Sequence, residues 1–286
     1  MQFLTQLHEL RESRAALRGM VGLVPTMGAL HRGHAALVEQ ARRECAHVVV
    51  SIFVNPLQFG PSEDFTRYPR RIEEDRALLE GLGVDIVFAP AAAEMFPRPP
   101  DIILEPATLG RYFEGERRPG HFRGVATIVL KLLNAVQPEH AYFGQKDAQQ
   151  LAIIQRMAVD LNLATAIHPC ATVREADGLA LSSRNVYLSD AERRAAPNLI
   201  AALREAVTRL AEGESDITSV LDAARQRLAP LREDYLGVVD PAKFEPLSTA
   251  PPGITLVAVG AAFAGATRLI DNLTVQTPAE REMVKR

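Results

Sequence analysis

The sequence predicts an α/β fold, in which a doubly wound parallel sheet occupies the first part of the chain and a smaller α+β domain follows. Apolar, β-branched runs alternate with helical patterns as far as about residue 163, and this alternation favours strand–helix–strand units. A turn rich in glycine and histidine follows the first apolar run, where open α/β sheets collect ligands. Beyond residue 175, two helical patterns precede three short strand patterns, which is typical of an α+β domain.

Each element of the first part has a local signature. Strands are predicted where aliphatic and β-branched residues run together, at 20–24, 48–54, 84–89 and 141–143. Helices are predicted where apolar residues recur at helical spacing, at 35–45, 72–82, 125–136 and from the candidate N-cap Asp147 to about Leu163. Gly83 and Pro138 end two of these helices, because neither residue continues a helix readily.

The change of pattern near residues 172–177 divides the chain into two predicted domains. We place them at residues 1–174 and 175–286. The charged tail after Thr277 is expected to be loosely held.

The second domain begins with a helix-start signal. Ser189-Asp190-Ala191-Glu192 has the form of a capping box and predicts a long helix that runs through Leu210. A second helix is predicted over 217–228. A small antiparallel sheet is expected from strands at 235–239, 254–259 and 268–271.

Composition and charge narrow the functional classes. With 47% hydrophobic and 23% charged residues and a net charge of −3, the 286-residue chain lacks the basic bias of nucleic-acid binders. No apolar run reaches the ~20 residues that span a bilayer, and residues 1–18 lack a signal-peptide core. We therefore expect a cytoplasmic protein without a membrane or nucleic-acid partner. Cys45 and Cys170 are expected to be free, buried thiols, with a disulfide left open.

The turn after the first strand carries the strongest chemical signal. Residues 25–34 are PTMGALHRGH; the glycines let a nucleotide approach the backbone, and the following helix offers free N–H groups to a phosphate. His31 and His34 lie on one face of this turn and can donate to phosphate oxygens as charge develops there. Two alternatives stay open: a surface or packing pair, or a zinc site, for which a third protein ligand is lacking.

Two further loops follow strands on the same presumed edge of the sheet. In FVNPLQF, residues 53–59, Asn55 and Gln58 offer neutral donors that hold a carboxylate without pairing it to a cation; the alternative is a proline turn capped by Asn55. In GQKDAQQ, residues 144–150, Lys146 is a point charge suited to polyphosphate, unless it is a solvated lysine beside a helix cap. Gln150 lies one turn into the helix and is expected to face the same cleft as Gln58.

A fourth loop, residues 177–185, reads DGLALSSRN. Its hydroxyls and arginine can wrap phosphates, although an interdomain turn explains it equally simply. Two weaker signals are the basic stretch 117–123, a packing feature or an anion contact, and the acidic triplet 73–75. The triplet suggests magnesium or, more simply, an exposed charged helix face.

Together these motifs resemble the pantothenate synthetase family (pantoate–β-alanine ligases) of the nucleotidyl transferase superfamily. The matching segments are PTMGALHRGH, FVNPLQF, RPGHF with GVATIVLKLLN, QPEHAYFGQKDAQQ, and READGLALSSRN followed by YLS. They occur in the family's order and cover most of residues 20–190. The resemblance implies a Rossmann-like ATP-binding domain, a smaller lid domain, a homodimer, and Mg²⁺ with ATP. It also implies the reaction of ATP, pantoate and β-alanine to pantothenate, AMP and pyrophosphate, through a pantoyl adenylate.

The resemblance also implies roles for individual residues. His34 is the expected proton donor, with His31 and Lys146 beside the phosphates. Gln58 and Gln150 are expected to hold pantoate, and Gln58 also β-alanine. Contacts with ATP are expected from Met27, Gly28, Ala29, Leu30, His31, Arg32, Gly33, His34, Gly144, Gln145, Lys146, Asp147, Val173, Leu181, Ser182, Ser183 and Arg184. The chain departs from the family pattern at Leu181, commonly Met, and at Gln145, often Glu, and neither change removes the chemistry.

Three rival interpretations make different demands on the chain. A plain nucleotidyl transferase would release an adenylylated product without an amine. A non-catalytic nucleotide-binding module need not keep both histidines, Lys146 and both glutamines together. An RNA ligase of the synthetase type is disfavoured by the slightly acidic charge balance and the absence of an anticodon-binding domain.

Overall fold

The computed structural model describes residues 1–61 and 63–279, which form two compact units. The first comprises Met1–Gln145 and Ile153–Val173, and the second comprises Lys146–Ala152 and the chain from Arg174 onwards. The sequence predicts consecutive domains, whereas these units interleave at 146–152. The charged tail expected after Thr277 lies, from residue 280 onwards, outside the described residues.

The first unit contains a parallel sheet. Its described strands are β1 (Gln2–Leu4), β2 (Val21–Thr26), β3 (His47–Ile52), β4 (Ile86–Phe88), β5 (His140–Gly144) and β6 (Ala166–Cys170). Their order is β1-β4-β3-β2-β5-β6, and all neighbouring strands are parallel. From β2, the next strands along the chain, β3 and β4, extend the sheet to one side, and β5 and β6 extend it to the other side. The predicted doubly wound arrangement is therefore confirmed.

The described helices of the first unit are α1 (Leu7–Ala16), α2 (Arg32–Glu44), α3 (Ile72–Gly81), α4 (Ala92–Met95), α5 (Glu114–Arg117) and α6 (His121–Val136), together with α7 (Ala148–Asp160) from residue 153 onwards. Two of them begin about one turn earlier than predicted. α2 begins at Arg32 rather than at residue 35, and α6 begins at His121 rather than at residue 125. The first turn of α2, residues 32–34, has only glycine and polar residues, and that of α6 has a single apolar residue, Phe122. The regular apolar periodicity therefore starts only after each helix has begun.

The core of the first unit fixes the sheet against its helices. Val24, Val48 and Val50 on the strands are fully buried and pack with Val38 of α2 and Leu79 of α3. Each fully buried side chain of this kind contributes roughly 1.5–3 kcal/mol. The strand ends are therefore rigid supports for the loops that leave them.

The second unit contains an antiparallel sheet and helices. Its described elements from residue 190 onwards are α8 (Asp190–Ala195), α9 (Asn198–Ala211), α10 (Ile217–Leu228), β7 (Arg232–Val239), β8 (Thr255–Ala264) and β9 (Thr267–Gln276), with the strands in the order β7-β8-β9. The capping box at Ser189 is confirmed, as is the helix over 217–228. The single long helix predicted through Leu210 is wrong, because Pro197 lacks the N–H that would continue α8 and a new helix begins at Asn198.

The cysteines behave as the sequence predicts. Cys45 and Cys170 are both buried and free. Among the described residues, no helix combines the length and the apolar character that crossing a bilayer requires.

Candidate functional site

Three of the predicted loops begin at one edge of the first sheet, near its centre. β2 has β3 on one side and β5 on the other, which makes the β2–β5 boundary a topological switch point. Ligands of doubly wound sheets bind in the crevice at the carboxyl ends of the strands at such a point. Met27 follows β2, Asn55 lies three residues beyond β3, and Gln145 follows β5.

The turn after β2 requires left-handed backbone at two consecutive residues. Gly28 has φ +81° and Ala29 has φ +50°, a region that side-chain-bearing residues adopt at a cost. A Cβ atom at Gly28 would lie 3.0 Å from Asp75 Oδ2. Glycine therefore suits position 28 for two reasons: it adopts the left-handed backbone conformation readily, and it has no side chain that would press against Asp75.

The two histidines of the turn are linked through the start of α2. His31 is the N-cap, and its Nδ1 accepts from the Gly33 N–H at 3.1 Å. His34 Nδ1 accepts from the His31 N–H at 3.3 Å, and the ring centroids are 4.1 Å apart. A ring nitrogen that accepts carries no proton, so each neutral imidazole has its proton on Nε2. Nε2–H is thus the group with which each histidine can donate to a phosphate oxygen.

Asp75 supports this turn, a role that the sequence analysis missed. Its side chain is buried, at 3% exposure. The carboxylate accepts the Ala29 N–H at 2.9 Å and the Leu30 N–H at 2.7 Å. Burial raises the pKa of Asp75, against the opposing effect of these two donors. The exposed-face interpretation holds for Glu73 and Glu74 but is wrong for Asp75, whose oxygens are committed to the turn.

Gln58 lies in a short 3-10 turn, Pro56–Gln58, and its amide orientation is set by neighbours. Asn55 Nδ2 donates to Gln58 Oε1 at 3.1 Å, which leaves the Gln58 NH₂ group as the donor. That group lies 3.0 Å from Met27 Sδ, and thioether sulfur is a weak acceptor. A ligand oxygen is a better acceptor, so Gln58 is suited to exchange this contact for a carboxylate or hydroxyl.

Asn55 makes its hydrogen bonds within the protein, and its predicted role in substrate binding stays a prediction. It is 1% exposed, its Oδ1 accepts from the Leu57 N–H, and its Nδ2 also donates to the Gly124 carbonyl at 3.0 Å. Both amide protons are used within the protein. The capped proline turn that the sequence offered as the alternative is the arrangement observed, and Asn55 supports Gln58.

The basic stretch 117–123 divides into a buried and an exposed part. His121 is 8% exposed, and its ring contacts the Gln58 carbonyl and the Arg118 guanidinium. Arg118 is paired with Glu63. Arg123 is exposed and pairs with Glu105 at 2.6 Å. Of the two alternatives weighed for this stretch, the structure supports packing and internal pairing.

The second unit contains the remaining predicted phosphate contacts. The Lys146 carbonyl accepts from Asn272 Nδ2 of β9 at 2.9 Å, which ties segment 146–152 to its own unit. Ser182 Oγ accepts from the Arg184 N–H at 3.2 Å and caps a 3-10 turn over Ser183–Tyr187. The half-buried predicted residues are Lys146, Gln150, Leu181, Ser182, Ser183 and Arg184, and Asp147 is exposed.

The predicted site residues thus fall into two groups. The first unit holds Met27–His34, Gln58, Gly144, Gln145 and Val173, and within it Gln58 contacts Met27 directly. The second unit holds Lys146, Asp147, Gln150 and Leu181–Arg184.

A metal site built from protein side chains is not found in residues 1–61 and 63–279. No three histidine, cysteine, aspartate or glutamate side chains are grouped there in a way that could hold an ion. Nδ1 of both His31 and His34 is also used by backbone N–H groups. The zinc alternative therefore has no support from the part of the chain that the structure describes.

Sequence comparison relates the chain to a known family. A family model described as pantoate-beta-alanine ligase matches residues 2–274. A bifunctional pantoate ligase/cytidylate kinase of Synechococcus sp. (strain JA-3-3Ab) is 55% identical over 96% of this chain, which spans about half of that relative's length, 52%. A pantothenate synthetase of Roseiflexus sp. (strain RS-1) is 50% identical over 96% of this chain and 100% of that one.

Solved structures give the same relationship. The crystal structure of pantothenate synthetase from Thermus thermophilus has a TM-score of 0.89 and 49% identity, covering 96% of this chain and 99% of that one. A pantoate-beta-alanine ligase from Francisella tularensis, complexed with Beta-gamma ATP and Beta-alanine, has a TM-score of 0.79 and 32% identity, covering 96% and 97%. The predicted fold class and the resemblance drawn from the motifs are both confirmed, and the chain belongs to the pantoate-β-alanine ligase family.

Proposed function

We propose that this chain is an ATP-dependent ligase that condenses pantoate with β-alanine to pantothenate and releases AMP and pyrophosphate. The observation that carries the proposal is the Gln58 amide, an uncharged donor 3.0 Å from Met27 Sδ, directly beside the histidine turn. A carboxylate held by a neutral amide keeps its nucleophilicity, whereas pairing with a cation would lower it. The Francisella tularensis complex supports the choice of a nucleotide and β-alanine as ligands.

In the proposed first step, a carboxylate oxygen of pantoate attacks the α-phosphorus of ATP. The bond between that phosphorus and the oxygen leading to the β-phosphate breaks, and pyrophosphate leaves. Negative charge builds on the phosphate oxygens, where the Nε2–H groups of His31 and His34 are proposed to donate. Lys146, Ser182, Ser183 and Arg184 are proposed to contribute further phosphate contacts.

In the proposed second step, the amine of β-alanine attacks the acyl carbon of the mixed anhydride, pantoyl adenylate. The bond from that carbon to the phosphate oxygen breaks, AMP leaves with this oxygen, and the proton that the amine loses passes to solvent. Gln58 is proposed to hold pantoate together with Gln150, and to contact β-alanine. A site that excludes water would protect the anhydride from hydrolysis.

Magnesium is proposed to enter with ATP. Mg²⁺ is usually held by substrate phosphates, water and one or two carboxylates. The absence of a three-ligand protein cluster in the described residues fits an ion that the nucleotide carries. When bound, it would neutralise charge on the phosphates. A cytoplasmic homodimer is likewise our proposal for the working state.

The proposed reaction is tested by mass spectrometry of the products from ATP, pantoate and β-alanine, with each substrate omitted in turn. We expect pantothenate and AMP in equal amounts only when all three are present. An adenylylated product that accumulates as the end product with β-alanine present would favour a nucleotidyl transferase. Nucleotide binding without any turnover would favour a non-catalytic module.

A further inference from the structure

We infer that His121 is a positioning residue for Gln58: it holds the Gln58 main chain through a fixed Nδ1–H donor, and the Glu63–Arg118 ion pair fixes that tautomer. The inference deepens the proposed function, because Gln58 is the proposed contact for pantoate. The RPGHF segment, residues 118–122, has no role in the proposed chemical steps, and the inference gives it one.

The tautomer follows from the two contacts of the ring. Arg118 Nη1 lies 3.1 Å from His121 Nε2, and a guanidinium can only donate, so Nε2 accepts. The ring proton is then on Nδ1, which lies 2.8 Å from the Gln58 carbonyl oxygen and donates to it. This is the opposite tautomer to that of His31 and His34.

Arg118 is itself held in place by acidic partners. Its Nε and Nη2 donate to the two oxygens of Glu63 at 2.8 and 2.7 Å, a bidentate pair with both side chains largely buried. Glu114 Oε2 lies 3.8 Å from Arg118 Nη1. Burial would raise the pKa of Glu63, but the Arg118 guanidinium lowers it. The guanidinium therefore faces His121 in one orientation.

The environment keeps His121 neutral. Burial and then the Arg118 cation lower its pKa to about 4, against the opposing effects of the Gln58 carbonyl, Glu114 and Glu63. A neutral ring holds the Gln58 backbone without placing a mobile positive charge beside the amide that is proposed to bind a carboxylate.

The first turn of α6, which contains His121, also contacts the 3-10 turn of Gln58 at a second point. A Cβ atom on Gly124 would lie 2.3 Å from the Leu57 carbonyl oxygen and 2.6 Å from the Gln58 backbone nitrogen. The helix and the 3-10 turn thus touch backbone to backbone. Asn55 completes the support by donating to the Gly124 carbonyl and to Gln58 Oε1. Gln58 is held through its carbonyl, its peptide plane and its amide oxygen.

The kinetic test compares His121→Phe, which keeps a ring but has no donor, with His121→Asn, whose amide nitrogen can occupy the place of Nδ1. Loss of the His121 donor leaves the Gln58 carbonyl with only the longer contact from Arg118 Nη2, at 3.5 Å. We therefore expect His121→Phe to raise KM for pantoate roughly tenfold or more, with KM for ATP within about twofold. His121→Asn should restore KM for pantoate to within about threefold. Arg123→Gln, an exposed change on the same helix, serves as the control.

Equal rises in both KM values for His121→Phe, or identical behaviour of the Phe and Asn variants, would overturn the inference, because a merely structural role affects both substrates alike. A second measurement needs no variant and no turnover: nitrogen NMR of the imidazole in the unmodified protein. We expect Nδ1 to carry the proton, and an Nε2–H tautomer would overturn the inference. Failure of the proposed ligase reaction would leave this NMR result untouched, so the two failures are distinguishable.

Discussion

The buried His121 should make the stability of the first unit depend on pH in the weakly acidic range. Its pKa is about 4 in the folded protein, against an ordinary value of 6.5. Between these values the unfolded chain binds a proton that the folded protein does not bind. The free energy of unfolding therefore falls as the pH falls through this window, and the stability is fully present above it.

The size of the effect follows from the two pKa values. Linkage gives a loss of about 2 kcal/mol between pH 7 and pH 5, growing to about 3 kcal/mol by pH 4. The variant His121→Asn keeps the donor to the Gln58 carbonyl but cannot titrate. It should therefore lose about 2 kcal/mol less than the unmodified chain between pH 7 and pH 5.

The assay is urea unfolding at pH 7 and pH 5, followed by circular dichroism, on the unmodified chain and on His121→Asn. His8→Asn, a substitution of the same type at an exposed histidine of α1, is the matched control. Equal losses for the unmodified chain and His121→Asn would refute the reasoning, because they would mean that His121 titrates alike in the folded and unfolded states.

Three further predictions concern the site. His34→Ala or Lys146→Ala should raise the barrier to adenylation by about 2–4 kcal/mol, as loss of one preorganised donor does; pyrophosphate release at a normal rate in either variant would contradict its role. Gln58→Ala should weaken pantoate binding more than ATP binding, measured by calorimetry, and equal weakening would argue against the assignment. Asp75→Ala should destabilise the protein by about 2–4 kcal/mol, because two half-buried N–H groups lose a charged acceptor, whereas Asp75→Asn, which keeps one acceptor, should lose about half of that. Thermal and urea unfolding measure this, and identical losses in the two Asp75 variants would show that the Ala29 and Leu30 contacts do not act as described.

The fold could be predicted to the extent that it depends on apolar periodicity. Buried strands such as β3 and amphipathic helices such as α10 have strong patterns, and they lie where the sequence places them. β1 has only three residues, and β6 is mostly exposed or half-buried, so neither has a buried apolar run to detect. Pro197 is a helix breaker that the sequence shows, but the helical apolar pattern on both sides of it favoured one continuous helix.

The candidate site could be located from the sequence where its residues form a local motif. The His31–His34 turn and the Gln58 loop follow strands directly, so their common location at a sheet edge follows from topology. The supports of these loops come from distant positions: Leu30 meets Asp75 across 45 residues, and Gln58 meets His121 across 63. The sequence around an isolated aspartate or histidine does not indicate which distant residue it contacts. Only the folded structure therefore reveals these roles.

The central claim, that a carboxylate is activated as an acyl adenylate, is tested most directly with pantoate whose carboxylate carries a heavy oxygen isotope. The pantoate oxygen that attacks the α-phosphorus stays on that phosphorus when the amine displaces AMP. We therefore predict one heavy oxygen atom in each AMP molecule and none in pyrophosphate. AMP without the label, formed while pantothenate accumulates, would contradict the account.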